Sequence, residues 1–207
     1  MRIDSVSPKP DRAGRYTVRF DDGTVMRIYR QTIEDFSVYS GQELTENQLC
    51  DLRSASAAMS AKMRAVRIVA ATNVSKGDLE HRLIQKGEDP QQAKAAVQWM
   101  SQLQLVDDAK TAEQIVSRCI HKGYGLARAK QMLYEKRIPK EYWEDALSDY
   151  PDQIEWITGY LKNHLQGSND PKAVRKVLDA LIRKGHNYGQ IRTALNQLSV
   201  DTEFPEE

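Results

Sequence analysis

The sequence predicts a mainly α protein, an elongated tandem array of three-helix repeats with a small N-terminal β-hairpin element. Two observations favour this fold class. A pattern in which a helix stops and restarts occurs three times, around Lys86, Lys136 and Lys184. The chain before residue 45 differs from the rest, because its apolar and polar side chains alternate as they do in a half-buried strand.

The N-terminal segment has the pattern of a β-hairpin. Tyr16, Val18 and Phe20 alternate along one run, which leads into an Asp-Asp-Gly-Thr turn sequence. A second run follows the turn and reaches Ile28. An Asp-Gly pair between β-branched and aromatic runs is a strong hairpin signal. The preceding segment RIDSV is predicted to add a short third strand, and the whole element is too small to bury much apolar surface alone.

From Thr45 onward the signals are helical. Thr45 with Gln48, and Ser75 with Asp78, have the spacing of capping boxes, in which each side chain accepts a backbone N–H of the other residue. Asp-Pro pairs provide a cap and a pre-set φ at the start of two further helices, and glycines mark helix ends. The predicted helices cover residues 45–58, 60–72, 76–86, 90–102, 108–122, 126–136, 140–148, 152–165, 172–184 and 188–198.

Apolar positions recur at the same offsets from the three lysines. They fall in pairs four residues apart, as one face of a helix requires. The recurring residues are Leu79, Leu83, Ala93 and Val97 in the first copy, Ala129, Leu133, Trp143 and Leu147 in the second, and Val177, Leu181, Ile191 and Leu195 in the third.

One more helix precedes each copy, so the predicted repeat contains three helices. Helices this short cannot bury an apolar face alone, and stacked repeats therefore complete one another's core. The predicted division is 1–44 for the β element, 45–106 for a linker helix and the first repeat, 107–150 for the second repeat, and 151–207 for the third repeat with an acidic tail.

The composition of the chain narrows its function class. The sequence holds 30 Lys+Arg and 29 Asp+Glu, so any attraction to a polyanion must come from local clustering. No stretch approaches the length of a membrane span and the N-terminus lacks the apolar run of a signal peptide, so a cytoplasmic location is expected. Cys50 and Cys119 are far apart, and lone thiols of this kind are expected to be packing residues rather than a disulfide or nucleophiles.

The first repeat and the segment after it carry three short motifs. Ser-x-x-(Glu/Asp)-Leu-x-x-(Lys/Arg)-Leu-x-x-Lys-Gly is matched from Ser75 to Gly87, Leu-Val-Asp-Asp stands at 105–108, and a helix ends in Gly-x-Gly at 123–125. Together they resemble the RecX family, bacterial regulators of the RecA recombinase. The likeness covers about residues 60–198, and the N-terminal hairpin resembles an extension found in relatives from Gram-positive bacteria.

The resemblance implies a regulator rather than an enzyme. RecX proteins lie in the groove of the RecA–DNA filament and mainly inhibit strand exchange and the co-protease activity that triggers the SOS response. The chain is thus expected to act in homologous recombination and DNA repair, with RecA as partner and most simply as a monomer. The alternative is a helical-repeat protein that binds single- or double-stranded DNA directly. A hydrolase is a third hypothesis, which the absence of a recognisable active site disfavours.

This sequence departs from the family pattern at two positions. Thr111 replaces an aromatic residue that often follows the Asp-Asp pair, and Arg137 replaces a glycine that usually ends a helix. If Arg137 adopts a positive φ, the conformation costs roughly 1 kcal/mol relative to glycine. Neither departure touches the predicted repeat core.

Basic residues cluster in the second and third repeats. Residues 117–140 carry seven Lys and Arg against one acid, and residues 162–192 carry seven against two. Such clusters suit phosphates or an acidic protein groove, whereas each lysine taken singly is more simply part of a solvated helix face. The candidate partner- or DNA-binding residues are Arg118, Lys122, Arg128, Lys130, Lys136, Arg137, Lys172, Arg175, Lys176, Arg183 and Lys184.

The sequence offers no catalytic or cofactor constellation. Gly123-Tyr124-Gly125 follows a helix rather than a strand, so it is interpreted as a turn and not as a phosphate loop. Cys119-x-His121 lacks a second ligand pair at metal-site spacing. No cofactor and no metal are expected. The three tryptophans are interpreted as packing residues, while Tyr124, Tyr134 and Tyr188 are candidates for exposed stacking.

Overall fold

A computed structural model describes residues 1–168 and 170–198 of the chain. It divides the chain into two compact units, Met1–Val106 and Asp107–Glu207. The mainly α class with a small N-terminal β element is confirmed. The predicted acidic tail lies outside the described residues, and the finer four-part division stays a prediction.

The elements are named in chain order. The strands are β1 (Ile3–Val6), β2 (Arg15–Phe20) and β3 (Val25–Tyr29). The helices are α1 (Arg30–Asp35), α2 (Glu46–Ala71), α3 (Lys76–Gln85), α4 (Pro90–Gln102), α5 (Asp108–His121), α6 (Leu126–Glu135), α7 (Trp143–Leu147), α8 (Ile154–Leu165), α9 (Pro171–Arg183) and α10 (Tyr188–Gln197). A 3₁₀ turn at Lys140–Tyr142 precedes α7.

The three strands form an antiparallel sheet in the order β1-β2-β3. Across the predicted turn the Phe20 amide donates to the Thr24 carbonyl at 3.0 Å. The hairpin and the third strand are therefore confirmed. Ile3 and Ile28 on the inner face are fully buried in one cluster with Leu52 of α2, so the first long helix supplies the core that the sheet lacks by itself.

The remaining helices of the first unit bury the apolar positions of the first predicted repeat. Leu79 and Leu83 of α3 lie in one cluster with Ala93 and Val97 of α4. The second half of α2 closes this cluster. One long helix thus packs on the sheet through its first turns and on α3 and α4 through its last turns.

The second unit contains two hydrophobic clusters. The helices α5 to α7 surround Leu133, and the helices α8 to α10 surround Leu181 and Leu195. The predicted apolar positions lie in these clusters except Ala129, which is buried outside them, and Trp143 and Leu147 of the short helix α7 are only half-buried. The α5–α7 cluster is therefore completed on one side by half-buried aromatic and aliphatic side chains.

Two expectations for the helices were wrong. The segments predicted as 45–58 and 60–72 are one 26-residue helix, α2, because no glycine or proline interrupts them. The short helix α1 was missed, since it spans 6 residues and has no side-chain cap that a sequence could reveal. The capping box predicted at Thr45 is confirmed: Gln48 N donates to Thr45 Oγ1 at 3.3 Å and Thr45 N donates to Gln48 Oε1 at 2.9 Å.

Candidate partner-binding surface

Helix α9 presents a mainly cationic surface, here called the α9 face. Its members recur three, four and eleven residues after the first, which places them on one side of a helix. All are exposed, and none forms an ion pair with another described residue. The α9 face consists of Lys172, Arg175, Lys176 and Arg183. Asp179, the one acid in this helix, is exposed on the same side, so the face carries four cations and one carboxylate and is net positive.

This face follows from the local sequence. Val174, Val177 and Leu181 turn inward and are buried in the α8–α10 cluster, which fixes the opposite side of the helix toward solvent. The Asp170 carboxylate accepts from the Lys172 and Ala173 amides at 3.4 and 3.2 Å, so the helix begins as the Asp-Pro pair predicts. Because the helix is amphipathic and capped, its cations are held in a fixed row rather than on a loop.

The candidate residues of α5 and α6 are more dispersed. Arg118 and Lys122 are exposed at the C-terminal end of α5, where cations are favoured by the helix dipole. Lys130 is exposed on α6, and Arg137 is exposed just beyond the end of that helix. These four side chains come from two helix ends and one helix face, so they form no single row comparable with the α9 face.

Three candidate residues are half-buried, and two of them contact other side chains of the second unit. The Arg128 guanidinium lies 3.3 Å from the Glu135 carboxylate, and both Arg128 and Lys136 are half-buried. The Lys184 ammonium lies 5.1 to 5.7 Å from the ring centres of Tyr124, Trp156 and Tyr160. A cation at this distance from several ring faces is attracted to their quadrupoles. Lys184 is therefore held internally in the second unit.

Lys184 belongs to a contact that joins the α5–α7 and α8–α10 clusters, here called the inter-cluster joint. It consists of Gly123, Gly125, Trp156, Lys184, Gly185 and His186. The Gly125 amide donates to the Lys184 carbonyl at 2.9 Å, and nearby the Tyr150 hydroxyl donates to the Tyr124 carbonyl at 2.6 Å. Burial raises the pKa of Tyr150 to about 12, so this hydroxyl keeps its proton and remains a donor at neutral pH.

The joint is sterically tight. A β-carbon on Gly123 would lie 1.9 Å from the Trp156 ring, and one on Gly125 would lie 2.0 Å from the Gly185 carbonyl oxygen. The Gly-x-Gly motif is a turn, as the sequence predicts, but its glycines are also the contact points between two helix clusters. This second role could have been found from the sequence only by knowing which distant residues pack on the turn.

His186 is the buried polar group of the joint, with 4% of its surface exposed. Its Nε2 lies 3.0 Å from the Gly123 carbonyl oxygen, and its ring stacks on Trp156 with centroids 5.4 Å apart. Because a carbonyl oxygen only accepts, Nε2 carries a proton, and a pKa lowered by burial leaves Nδ1 unprotonated and the ring neutral at neutral pH. Nδ1 has no hydrogen-bond partner among the described residues. Burial lowers the pKa of His186, and the nearby Lys184 ammonium lowers it further, while the Gly123 hydrogen bond opposes the shift.

The second unit is expected to lose stability on acidification through His186. Its folded pKa is lowered below the ordinary value of 6.5, so below pH 6.5 the unfolded chain takes up the proton first. Stability is then fully present above pH 6.5 and falls by up to about 1.4 kcal/mol per pH unit until the folded pKa is reached. Urea unfolding at pH 7.5, 6.5 and 5.5 measures this loss.

The variant His186→Gln separates this effect from other titrating groups. Glutamine can donate to the Gly123 carbonyl but does not titrate, so its stability should fall less between pH 7.5 and 5.5 than that of the parent. Parallel loss of stability in the parent and in His186→Gln would contradict a neutral buried imidazole.

The surface differs from the sequence-based expectation in one further respect. Tyr134, Lys140 and Trp143 line a groove together with Arg137, although only the arginine was among the candidate binding residues. Tyr134 was expected to be exposed and is 73% exposed. The arginine at a helix end, where glycine is usual, was the one signal in the sequence that could have pointed to this groove. The groove itself depends on where the segment leading into α7 packs beside the end of α6.

Two general features of the described residues bear on function. No helix among them combines the length and the apolar character needed to cross a membrane. Within the same part of the chain, no three His, Cys, Asp or Glu side chains are grouped so that they could hold a metal ion.

Comparison with known sequences gives a consistent result. The profile of the RecX second three-helix domain matches residues 107–147. A regulatory protein RecX of Clostridioides difficile is 24% identical over 203 residues, which cover 95% of this chain and 94% of the relative. A regulatory protein RecX of Vibrio parahaemolyticus is 26% identical over 141 residues, covering 67% of this chain and 91% of the relative.

Solved structures share the fold. A crystal structure of a regulatory protein RecX superposes with a TM-score of 0.65 at 20% identity, covering 94% of this chain and 98% of that protein. RecX from Lactobacillus salivarius superposes with a TM-score of 0.61 at 22% identity, covering 71% of this chain and 99% of that protein.

Proposed function

The chain belongs to the RecX family, and from this premise we propose that it binds the RecA nucleoprotein filament and mainly inhibits recombinase and co-protease activity. In this proposal the chain is a non-enzymatic regulator that acts in the cytoplasm, in homologous recombination and the SOS response. The relatives support a regulatory role, and the surface chemistry supports a polyanionic or acidic binding partner.

The α9 face is the observation that carries the proposal. Lys172, Arg175 and Lys176 stand side by side on the first half of the helix, exposed and without an ion-pair partner among the described residues. A fixed row of unpaired cations gains free energy when it meets phosphates or carboxylates, both by attraction and by counterion release. A filament of recombinase on DNA offers such groups along its length.

The alternative is direct binding to DNA without the recombinase. The same α9 face favours it, since lysine and arginine on one helix side suit a phosphate backbone. The two functions differ in what the protein requires. Direct DNA binding should be tight without RecA and should weaken steeply as salt rises, whereas the regulator should need the filament for tight binding.

Charge reversal on the α9 face tests the proposal. The triple variant Lys172→Glu, Arg175→Glu and Lys176→Glu should raise the concentration needed for half-inhibition on the order of tenfold. The measurement is RecA-catalysed ATP hydrolysis on single-stranded DNA with the protein titrated in. Because all three side chains are exposed, the melting temperature should stay close to that of the parent.

A matched control changes the net charge equally elsewhere. Lys9, Arg12 and Arg19 are exposed in the first unit, and their reversal to Glu should leave inhibition near the parental level. Equal loss of inhibition in both triple variants would mean that net charge, not the α9 face, matters. Hydrolysis unchanged by a stoichiometric excess of the parent would contradict the regulatory function and favour the alternative.

A further inference from the structure

Arg137 takes a backbone conformation that glycine takes at three other helix ends of the described chain. Four helices in the described part of the chain end on a lysine, and the residue that follows has positive φ in each. These residues are Gly87 at φ 87°, Gly123 at 61°, Arg137 at 54° and Gly185 at 90°. A side chain is disfavoured in this left-handed region, which glycine enters freely.

The local turn does not require an arginine. Arg137 N donates to Tyr134 O at 2.9 Å and Ile138 N donates to Leu133 O at 3.0 Å. The amides of Gly87 and Glu88 form the same two bonds at the end of α3, at 2.9 and 3.1 Å. Glycine therefore closes the same turn, so the turn itself gives no reason for the arginine side chain. Strained residues of this kind are concentrated at binding sites.

The Arg137 side chain borders a surface groove of about 540 Å³, here called the Arg137 groove. Ile138, Pro139 and Trp143 supply its apolar surface, and Tyr134, Glu135, Arg137 and Lys140 complete its lining. The Trp143 indole donates to the Ile138 carbonyl at 3.0 Å, which fixes the ring in place. The groove thus combines a preformed apolar wall with cationic groups, an arrangement common in ligand and peptide sites.

The charges around the groove indicate the class of ligand. Glu135 is engaged by Arg128 at 3.3 Å and Gln131 at 2.9 Å, whereas Arg137 has no ion-pair partner among the described residues. Across residues 134–144 three basic side chains are balanced by three acidic ones. A neutral surrounding gives no general attraction for a polyanion such as DNA. One unpaired guanidinium beside an apolar wall instead suits a single carboxylate next to an apolar side chain.

We propose that the Arg137 groove binds a short protein segment in which a carboxylate neighbours an aliphatic or aromatic side chain. The carboxylate pairs with the Arg137 guanidinium, and the apolar side chain packs on Trp143 and Pro139 beside the exposed Tyr134 ring. This inference rests on the proposed function, which identifies the partner as the recombinase. It adds a protein contact at the groove to the electrostatic contact of the α9 face.

The variant Arg137→Gly provides a sharp test because its two effects have opposite signs. Removal of the backbone strain should raise the melting temperature by several degrees. Removal of the guanidinium should weaken equilibrium binding to RecA filaments on single-stranded DNA by at least about fivefold. Weaker binding by a more stable protein cannot be ascribed to unfolding. Arg137→Lys keeps the charge and the strain but lacks the planar fork, and should bind with intermediate affinity.

Gln104→Gly is the matched control. Gln104 also has positive φ, 56°, just after a helix end but outside the groove, so its replacement should raise the melting temperature without changing binding. Each variant is also measured with a single-stranded oligonucleotide and no recombinase, where Arg137→Gly should match the parent.

The outcomes separate the two proposals. If the parent binds filaments and Arg137→Gly binds equally well, the groove proposal is wrong while the proposed function stands. If Arg137→Gly loses affinity for the oligonucleotide by the same factor as for filaments, the groove binds nucleic acid and the protein-segment proposal is wrong. If the parent itself does not bind filaments, the proposed function fails, and the assignment of the groove to the recombinase fails with it.

Discussion

Gly125→Ala is expected to lower the free energy of unfolding of the second unit by about 3 kcal/mol. The new β-carbon would lie 2.0 Å from the Gly185 carbonyl oxygen and 2.2 Å from its carbon. Both are backbone atoms, so the contact cannot be relieved by rotating a side chain. If the two chain segments of the inter-cluster joint moved apart to relieve this contact, the hydrogen bond from the Gly125 amide to the Lys184 carbonyl would also break. Urea unfolding monitored by tryptophan fluorescence measures the loss.

Two controls distinguish this contact from other effects of a glycine substitution. Gly125 is the N-cap of α6, a position where serine is favoured over alanine. If the loss came from poorer capping, Gly125→Ser would be less destabilising than Gly125→Ala. If the close approach causes the loss, the two variants should be equally destabilised. Gly159 lies inside α8 with no atom within 4 Å of a β-carbon position, and Gly159→Ala should raise stability by about 1 kcal/mol. Recovery of parental stability in Gly125→Ser would contradict the steric explanation.

Trp156→Ala is expected to lower the free energy of unfolding by about 3 kcal/mol. The indole lies in a stack between His186 and Tyr160, with centroids 5.4 and 5.2 Å away, and it is one of the rings below the Lys184 ammonium. Its removal leaves a cavity at the joint and exposes the buried imidazole. The loss is measured by chemical unfolding with far-ultraviolet circular dichroism, which does not depend on the deleted fluorophore.

A double-mutant cycle with Gly123 tests the contact itself. In the parent, Gly123→Ala brings a β-carbon within 1.9 to 2.3 Å of three Trp156 ring atoms, at a φ of 61° that already disfavours a side chain. In the Trp156→Ala background the clash is gone, so the same change should cost only about 1 kcal/mol for the backbone conformation. The coupling should reach about 2 kcal/mol. Additive losses would show that the two residues act independently.

The fold could be predicted largely from local signals. The Asp-Gly turn and the strand alternation define the hairpin, and Thr45, Asp89 and Asp170 each cap a helix where the sequence places it. Each of these signals involves residues close together in the sequence, so it can be recognised without knowledge of tertiary contacts. The helix break that was wrongly predicted within α2 has a different cause. The break predicted between residues 58 and 60 is absent, because the chain supplies no glycine or proline that would end a helix there.

The candidate surface could be predicted only in part. The row on α9 follows from helical spacing, since inward and outward positions of an amphipathic helix are fixed by the sequence. Lys184 resembles the other basic residues in the sequence, yet its surroundings are set by residues far along the chain, such as Tyr124. Local charge density cannot distinguish a cation that faces solvent from one held over aromatic rings. That distinction depends on tertiary packing.

The unequal surroundings of the two cysteines have a practical consequence. Cys119 is fully buried with its sulfur 3.4 Å from that of Met132, and burial raises the pKa of its thiol, whereas Cys50 is exposed on α2. Maleimide reagents react with the thiolate of an accessible cysteine. The unaltered chain should therefore accept one fluorophore, at Cys50, so the proposed binding to a RecA filament can be tested by emission without replacing any residue.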